Sequence, residues 1–228
     1  MEENSAKETL ALKIARVKQR LATAAARSRH SLPKIVFVTK TVDAPTIACL
    51  AELESRVAVG ETRVQDAFAK MLWLKQNCPQ LASRIEWHFI GRLQRNKVAK
   101  AVAAFDCIQS IDSLELAQKA SRAAQLAGKT IPLFIEVNIA GEASKGGVTP
   151  EKAVELARQV KELPNLRLEG LMTIAPFVEA EKTRPFFKKM RALANSLGLR
   201  TSMGMSNDFE VAVEEGADVV RIGRAIFG

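Results

Sequence analysis

An apolar stretch that ends on a lysine is the first place where this chain offers chemistry. In Lys34 to Thr41, KIVFVTKT, the run Ile35, Val36, Phe37 and Val38 reads as a strand buried on both faces, followed by Thr39 and Lys40. Burying an ammonium group is costly, so Lys40 either emerges into water or stands at the mouth of a site. A lysine partly desolvated there has a lowered pKa, and its neutral amine can attack a carbonyl to form a Schiff base. Two stretches near the C-terminus suit the other end of such a ligand. GMSND carries Gly204 and Ser206, and RIGRA carries Gly223 and Arg224. Taken singly these are a turn and a helix cap. As the last two strand-to-helix turns of a repeating pattern they favour phosphate, because glycines let the backbone come close and N–H groups at a helix start bind anions.

A carbonyl compound with a phosphate is a sugar phosphate or pyridoxal phosphate. Arg221, flanked by Val220 and Ile222, points into the site or into the core, and an unpaired arginine in a core is nearly prohibitive. It therefore needs a polar partner: the nitrogen of a pyridine ring, or a carboxylate such as Glu136 or Glu169. Other polar residues fall at strand ends: Thr62 after Gly60 and Glu61, His88 inside WHFIG, Ser110 and Asp112, Asn138, and Thr173. Two histidines, His30 and His88, make no metal site, and no Ser-His-Asp order has supporting motifs, so hydrolase and metalloenzyme chemistries are set aside.

Strands alternate strictly with helices. Residues 5–29 place Leu10, Ile14, Val17 and Leu21 on one helical face. After the strand ending at Lys40, a helix with Pro45 in its first turn runs to about Glu54, and RVAVGE is the second strand. Helices Val64–Asn77, Leu93–Ala104, Ser113–Leu126, Pro150–Leu163, Glu179–Leu197 and Asp208–Glu215 then alternate with IEWHFIG, CIQSI, PLFIEVNI, LRLEGLMTI, TSMGM and VVRIG. Ser113 caps its helix and Gly128 closes it. About eight parallel strands joined by helical crossovers imply an α/β fold, a (β/α)8 barrel of TIM type with an extra N-terminal helix, residues 1–30, in one domain spanning 1–228. An open doubly wound sheet is the second choice, weakened because no G-x-G-x-x-G or Walker loop follows a strand.

Composition narrows the partners. A net charge of +9 invites nucleic acid. Acids are interspersed with the bases, however, and aromatic residues make up 5% with no tyrosine, so platforms for stacked bases are scarce. RLQRNKVAK, the densest basic run, reads as a solvated face or a small phosphate site. No apolar run approaches the ~20 residues of a membrane span. The acidic start is unlike a secretory leader, and three cysteines without metal spacing fit a reducing cytoplasm.

VTKT, GETRVQD, EWHFIGRLQRNK, GLMTIAP and SMGMSNDFEVAVEEGADVVRIGRAIFG together resemble, in that order, the signature stretches of the pyridoxal phosphate homeostasis protein family. The resemblance runs from about Ile35 to Gly228. It implies a fold type III protein, a barrel like the N-terminal domain of alanine racemase, with pyridoxal 5'-phosphate held as an internal aldimine on Lys40. By the same resemblance Ser206 and the backbone around Gly223 and Arg224 contact the phosphate, Arg221 faces the pyridine nitrogen, and His88 lines the pocket wall. An arginine facing that nitrogen leaves it unprotonated and the ring a poorer electron sink. Two positions depart from the family. Thr62 stands where members often have Asn near the ring, and Arg224 stands where they often have a small hydroxyl residue.

The function these features imply is vitamin B6 homeostasis: buffering or delivering the cofactor, without turnover of consequence. An alanine-type racemase needs a second base, a tyrosine, and a second β domain. The chain has no tyrosine, and its end at Gly228 leaves no room for that domain. A racemase using another base, such as His88, is the alternative, and a Schiff-base aldolase on sugar phosphates the weaker one. The partners expected are the cofactor, recipient apoenzymes or a regulatory protein, and the expected state is a monomer.

Overall fold

The computed structural model describes residues 2–142 and 145–228. Lys34 and the four apolar residues after it form β1 (Lys34–Val38), and the same pattern of short, largely buried runs recurs through the chain. After helix α1 (Glu2–Ser28) come β1, α2 (Ala44–Leu53), β2 (Val57–Glu61), α3 (Val64–Asn77) and the short α4 (Pro79–Ala82). Then follow β3 (Ile85–Phe89), α5 (Val98–Ala104), β4 (Cys107–Ile111), α6 (Leu114–Leu126), β5 (Ile131–Glu136) and α7 (Pro150–Lys161). The chain ends with β6 (Leu166–Met172), α8 (Arg184–Ser196), β7 (Arg200–Ser202), α9 (Phe209–Glu214), β8 (Val219–Ile222) and α10 (Arg224–Phe227).

All neighbouring strands are parallel, and β8 returns to pair with β1, with Val36 opposite Arg221 and Phe37 opposite Ile222. The sheet is thus a closed barrel, not an open one. Its interior holds a cluster of Val36, Ala58, Cys107, Phe134, Met172 and Val219, apart from the larger core between strands and helices. Gly170 makes the first possible: a Cβ there would lie 2.5 Å from the Phe134 ring and 2.4 Å from the Arg200 carbonyl.

Local signals explain the ends of the elements. Asp43 caps α2 by accepting from Thr46 N at 3.0 Å, and Ser113 caps α6 by accepting from Leu116 N at 3.3 Å. The expected helix from Leu93 begins later, with a 3-10 turn at Arg95–Lys97 ahead of α5, and the one expected from Glu179 likewise opens with a 3-10 turn at Ala180–Thr183. The predicted stripe of α1, Leu10, Ile14, Val17 and Leu21, is buried, and α1 packs on α9 and α10. Arg20 sits 4.6 Å over the Phe209 ring and pairs with Glu210 at 2.7 Å. Among the described residues no helix is long and apolar enough to cross a membrane.

Candidate functional site

Parallel barrels build their sites where strands end and the following loops begin. Here a cavity of 480 Å³ opens at that end, a volume suited to a small ligand. Lys40, two residues past β1, lines one side. Ser206, Asn207, Gly223 and Arg224 line another, and Arg221 forms part of the floor. Ile174, Pro176 and Phe177, from the loop after β6, supply apolar surface, and Phe177 is 84% exposed.

Lys40 is exposed to solvent across the cavity rather than partly desolvated, and its ammonium makes no hydrogen bond or ion pair with the described residues. Its backbone is fixed from behind. Thr39 is fully buried; its Oγ1 donates to Glu61 Oε1 at 2.7 Å, and Lys70 Nζ donates to both Glu61 Oε1 and the Thr39 carbonyl at 2.7 Å. The β1 strand can therefore end on a lysine because the buried charges behind it, Glu61 and Lys70, are paired with each other around Thr39, and Lys40 turns outward.

Opposite Lys40, Gly204 adopts φ +90°, where a Cβ would come within 2.5 Å of Ala212. Only glycine suits that turn, and the turn sets Ser206 in the wall. Ser206 Oγ accepts from Ala225 N at 3.2 Å, which leaves its own hydrogen free for a ligand. Among the described residues the Arg224 guanidinium makes only a long 3.5 Å contact, with Asn207 Oδ1. An exposed guanidinium, a hydroxyl hydrogen and the start of α10 together form a donor set for an oxyanion.

Arg221 is 4% exposed, and burial pushes its pKa down to about 10 against the opposing pull of Asp208 and Glu136. Its hydrogen-bond partners are neutral: Nη1 donates to Ser202 Oγ at 2.7 Å and Nη2 to the Thr173 carbonyl at 2.8 Å. Of the two carboxylates weighed as partners, Glu169 pairs instead with Arg167 and Arg200, and Glu136 acts only at a distance. Burial first, then Asp112, pushes the Glu136 carboxyl up; burial also raises Asp208, whose Oδ1 accepts from Met205 N at 2.6 Å.

Two expected site residues lie elsewhere. Thr62 lines a separate depression of 250 Å³ with Arg63, Arg92 and Lys97, because the turn after β2 leads toward α3. His88 is 3% exposed inside the barrel, with its ring nitrogens 2.8 Å from Glu86 Oε1 and from Gln109 Nε2. It does not line the cavity. Lys145, which the strand-end reading passed over, does line it, donating to Glu142 Oε1 at 2.8 Å and to the Ala175 carbonyl at 3.0 Å. Its signal was the same as that of Lys40, a lone lysine in the loop after a strand.

A larger depression of 640 Å³ lies at the opposite end, where the strands begin. Lys18 and Lys34 in its wall are neutralised by Glu54 and Glu86, each at 2.6 Å. The charges there are largely engaged with one another, so the cavity around Lys40 is the better candidate.

The family model described as alanine racemase, N-terminal domain, matches residues 12–228. A pyridoxal phosphate homeostasis protein of Aquifex aeolicus (strain VF5) is 40% identical over 226 residues, 95% of this chain and 96% of its own. The structure of PipY of Synechococcus elongatus PCC7942, with PLP bound, matches at a TM-score of 0.82 and 31% identity, covering 96% of this chain and 100% of that one. An alanine racemase of Clostridium difficile 630 shares the fold at a TM-score of 0.70 and 18% identity, with 97% of this chain covering 56% of that one.

Proposed function

The chain belongs to the pyridoxal phosphate homeostasis protein family, built on the alanine racemase N-terminal domain fold, and from that premise we propose that it holds pyridoxal 5'-phosphate through Lys40 and buffers or hands on the cofactor. One observation carries the reading: a partnerless lysine and an oxyanion donor set face each other across a single cavity, with a buried arginine between them. The residues fit the ligand. Lys40 supplies an amine for the aldehyde. Ser206, the backbone at Gly223, and Arg224 take the phosphate. Arg221, pinned by Ser202 and Thr173, donates to the ring nitrogen.

When bound, the cofactor supplies an aldehyde and a ring able to accept electrons. Arg221 limits that ability, because a guanidinium only donates hydrogen bonds and offers no acidic proton at neutral pH. No tyrosine exists to act as a second base. His88 has both ring nitrogens engaged with Glu86 and Gln109. Holding without turnover follows, carried out by residues 1–228 as one cytosolic, monomeric unit. Recipient apoenzymes or a regulatory protein are the partners this role calls for.

The test is optical. Wild-type protein mixed with pyridoxal phosphate is expected to turn yellow, and borohydride should fix the label on Lys40; Lys40→Ala should stay colourless. A colourless wild type overturns the reading. Exchange of amino-acid α-protons in deuterated water faster than with free cofactor would replace the carrier by an enzyme.

A further inference from the structure

A file of polar side chains crosses the barrel interior beneath Arg221. Arg221 on β8 donates to Ser202 Oγ on β7 at 2.7 Å, and Ser202 Oγ donates to Gln109 Oε1 on β4 at 2.7 Å. Gln109 Nε2 lies 2.8 Å from His88 Nδ1 on β3, and His88 Nε2 lies 2.8 Å from Glu86 Oε1. Glu86 Oε2 then accepts from Lys34 Nζ at 2.6 Å, at the far mouth of the barrel. Ser202 and Gln109 are fully buried, so a broken link would leave a polar group stranded.

The direction of the file follows from donor chemistry. A guanidinium only donates, so Ser202 accepts from it and spends its one hydrogen on Gln109 Oε1. The amide NH2 then faces Nδ1, which must be bare. The single imidazole hydrogen therefore sits on Nε2 and points at the Glu86 carboxylate. A hydrogen on Nδ1 would meet the amide NH2 head-on. Accommodating it requires Gln109 to turn over, which puts its NH2 against Ser202 and deprives the Ser202 hydrogen of its acceptor.

We propose that Ser202, Gln109 and His88 are positioning residues for Arg221, holding its guanidinium in one orientation beneath the ligand, with the direction of the file anchored by Glu86 at the opposite end of the barrel. This rests on the reading of Arg221 as the partner of the ring nitrogen. Gln109 is the informative member, because it lines neither mouth and can act on the cavity only through Ser202.

Nitrogen NMR of the cofactor-free protein is expected to show His88 with a bare Nδ1 and a protonated Nε2. Gln109→Glu offers a carboxylate to both neighbours and should draw a hydrogen onto Nδ1. With pyridoxal phosphate, Gln109→Leu is expected to shift the visible band and to weaken affinity about tenfold, the size of a lost buried hydrogen bond. Should the leucine variant lose its near-UV circular dichroism, Gln109→Glu, which keeps the volume, takes its place with a shifted band as the expected result. A protonated Nδ1 in wild type, or a folded Gln109 variant with wild-type band and affinity, overturns the proposal. A wild type that takes up no cofactor overturns the proposed function instead, and the nitrogen measurement tells the two failures apart.

Discussion

The two mouths of the barrel treat charge in opposite ways. Where the strands begin, cations and carboxylates neutralise each other in water. Lys34 and Glu86 meet at 2.6 Å with 38% and 45% of their side chains exposed, and Arg167 and Arg200 share Glu169. The hydrogen bond from His88, then Lys34, holds the Glu86 carboxyl down at about 2. Where the strands end, Lys40 has no partner among the described residues, Arg221 rests on a hydroxyl and a carbonyl, and burial pushes Glu136 and Asp208 up. Even the ion pair behind Lys40, Glu61 with Lys70, is withdrawn from solvent. A carboxylate beside Lys40 would occupy the amine that the ligand needs. Lys145 in the same wall does pair with Glu142 at 2.8 Å, so what sets this mouth apart is that Lys40 and Arg221 have no carboxylate partner among the described residues.

The largest effect should come from breaking the buried pair. Lys70→Met leaves Glu61, 1% exposed and with Oε2 already unpartnered, as a buried anion without a cation. The expected loss is about 3–5 kcal/mol, read from urea unfolding. The equivalent change at the other mouth, Lys34→Met, should cost no more than about 1 kcal/mol, because that pair is exposed. Similar losses from both variants would erase the contrast between the ends.

The scaffold was largely legible in the sequence because its signals are local. IVFV is apolar on both faces, CIQSI is a short run of strand length, and Ser113 and Gly128 bracket α6 as their chemistry demands. Lys40, Ser206, Arg221, Gly223 and Arg224 were legible as a set because each stands at or just past a strand end, where a barrel gathers them. Contacts across the ring were not legible. Gln109 in CIQSI and Ser202 in RTS look like stray polar residues until closure sets β4 facing β7 across the interior. The partner of Arg221 was missed for that reason. A carboxylate was the natural expectation for a buried guanidinium, whereas a serine hydroxyl and a main-chain carbonyl carry no signature in sequence. Thr62 and His88 also stand near strand ends, yet Thr62 lines a separate depression and His88 bonds to Glu86 and Gln109 inside the barrel: nearness to a strand end does not say which way a side chain faces.

At the open mouth the next effect concerns the ligand. The Arg224 side chain is exposed, and among the described residues its guanidinium makes only the long contact to Asn207, so little stability depends on it. Arg224→Ala should leave the melting temperature unchanged and weaken pyridoxal phosphate binding about tenfold at low salt, as loss of one charge-assisted contact to phosphate implies. The salt dependence of binding should shrink with it. Wild-type affinity in this variant, titrated by absorbance, would place the phosphate elsewhere.

The smallest effect compares one carboxylate from each end, and here the signs must differ. Glu86 has a folded pKa below its unfolded value of about 4.5. Its contribution is therefore complete above pH 4.5 and fades as pH falls toward 2, worth about 1 kcal/mol once its exposure is allowed for. Glu136 is shifted upward, so its contribution is complete below the unfolded pKa and is lost as pH rises through the folded one. Ionising Glu136 therefore costs stability in the ligand-free protein. Glu86→Gln should thus flatten the decline of stability in acid, while Glu136→Gln should raise the neutral melting temperature slightly and leave the acid limb in place. Melting curves between pH 3 and 8 decide it. Equal behaviour of the two variants would mean that the ends of the barrel do not differ in how they use their acids.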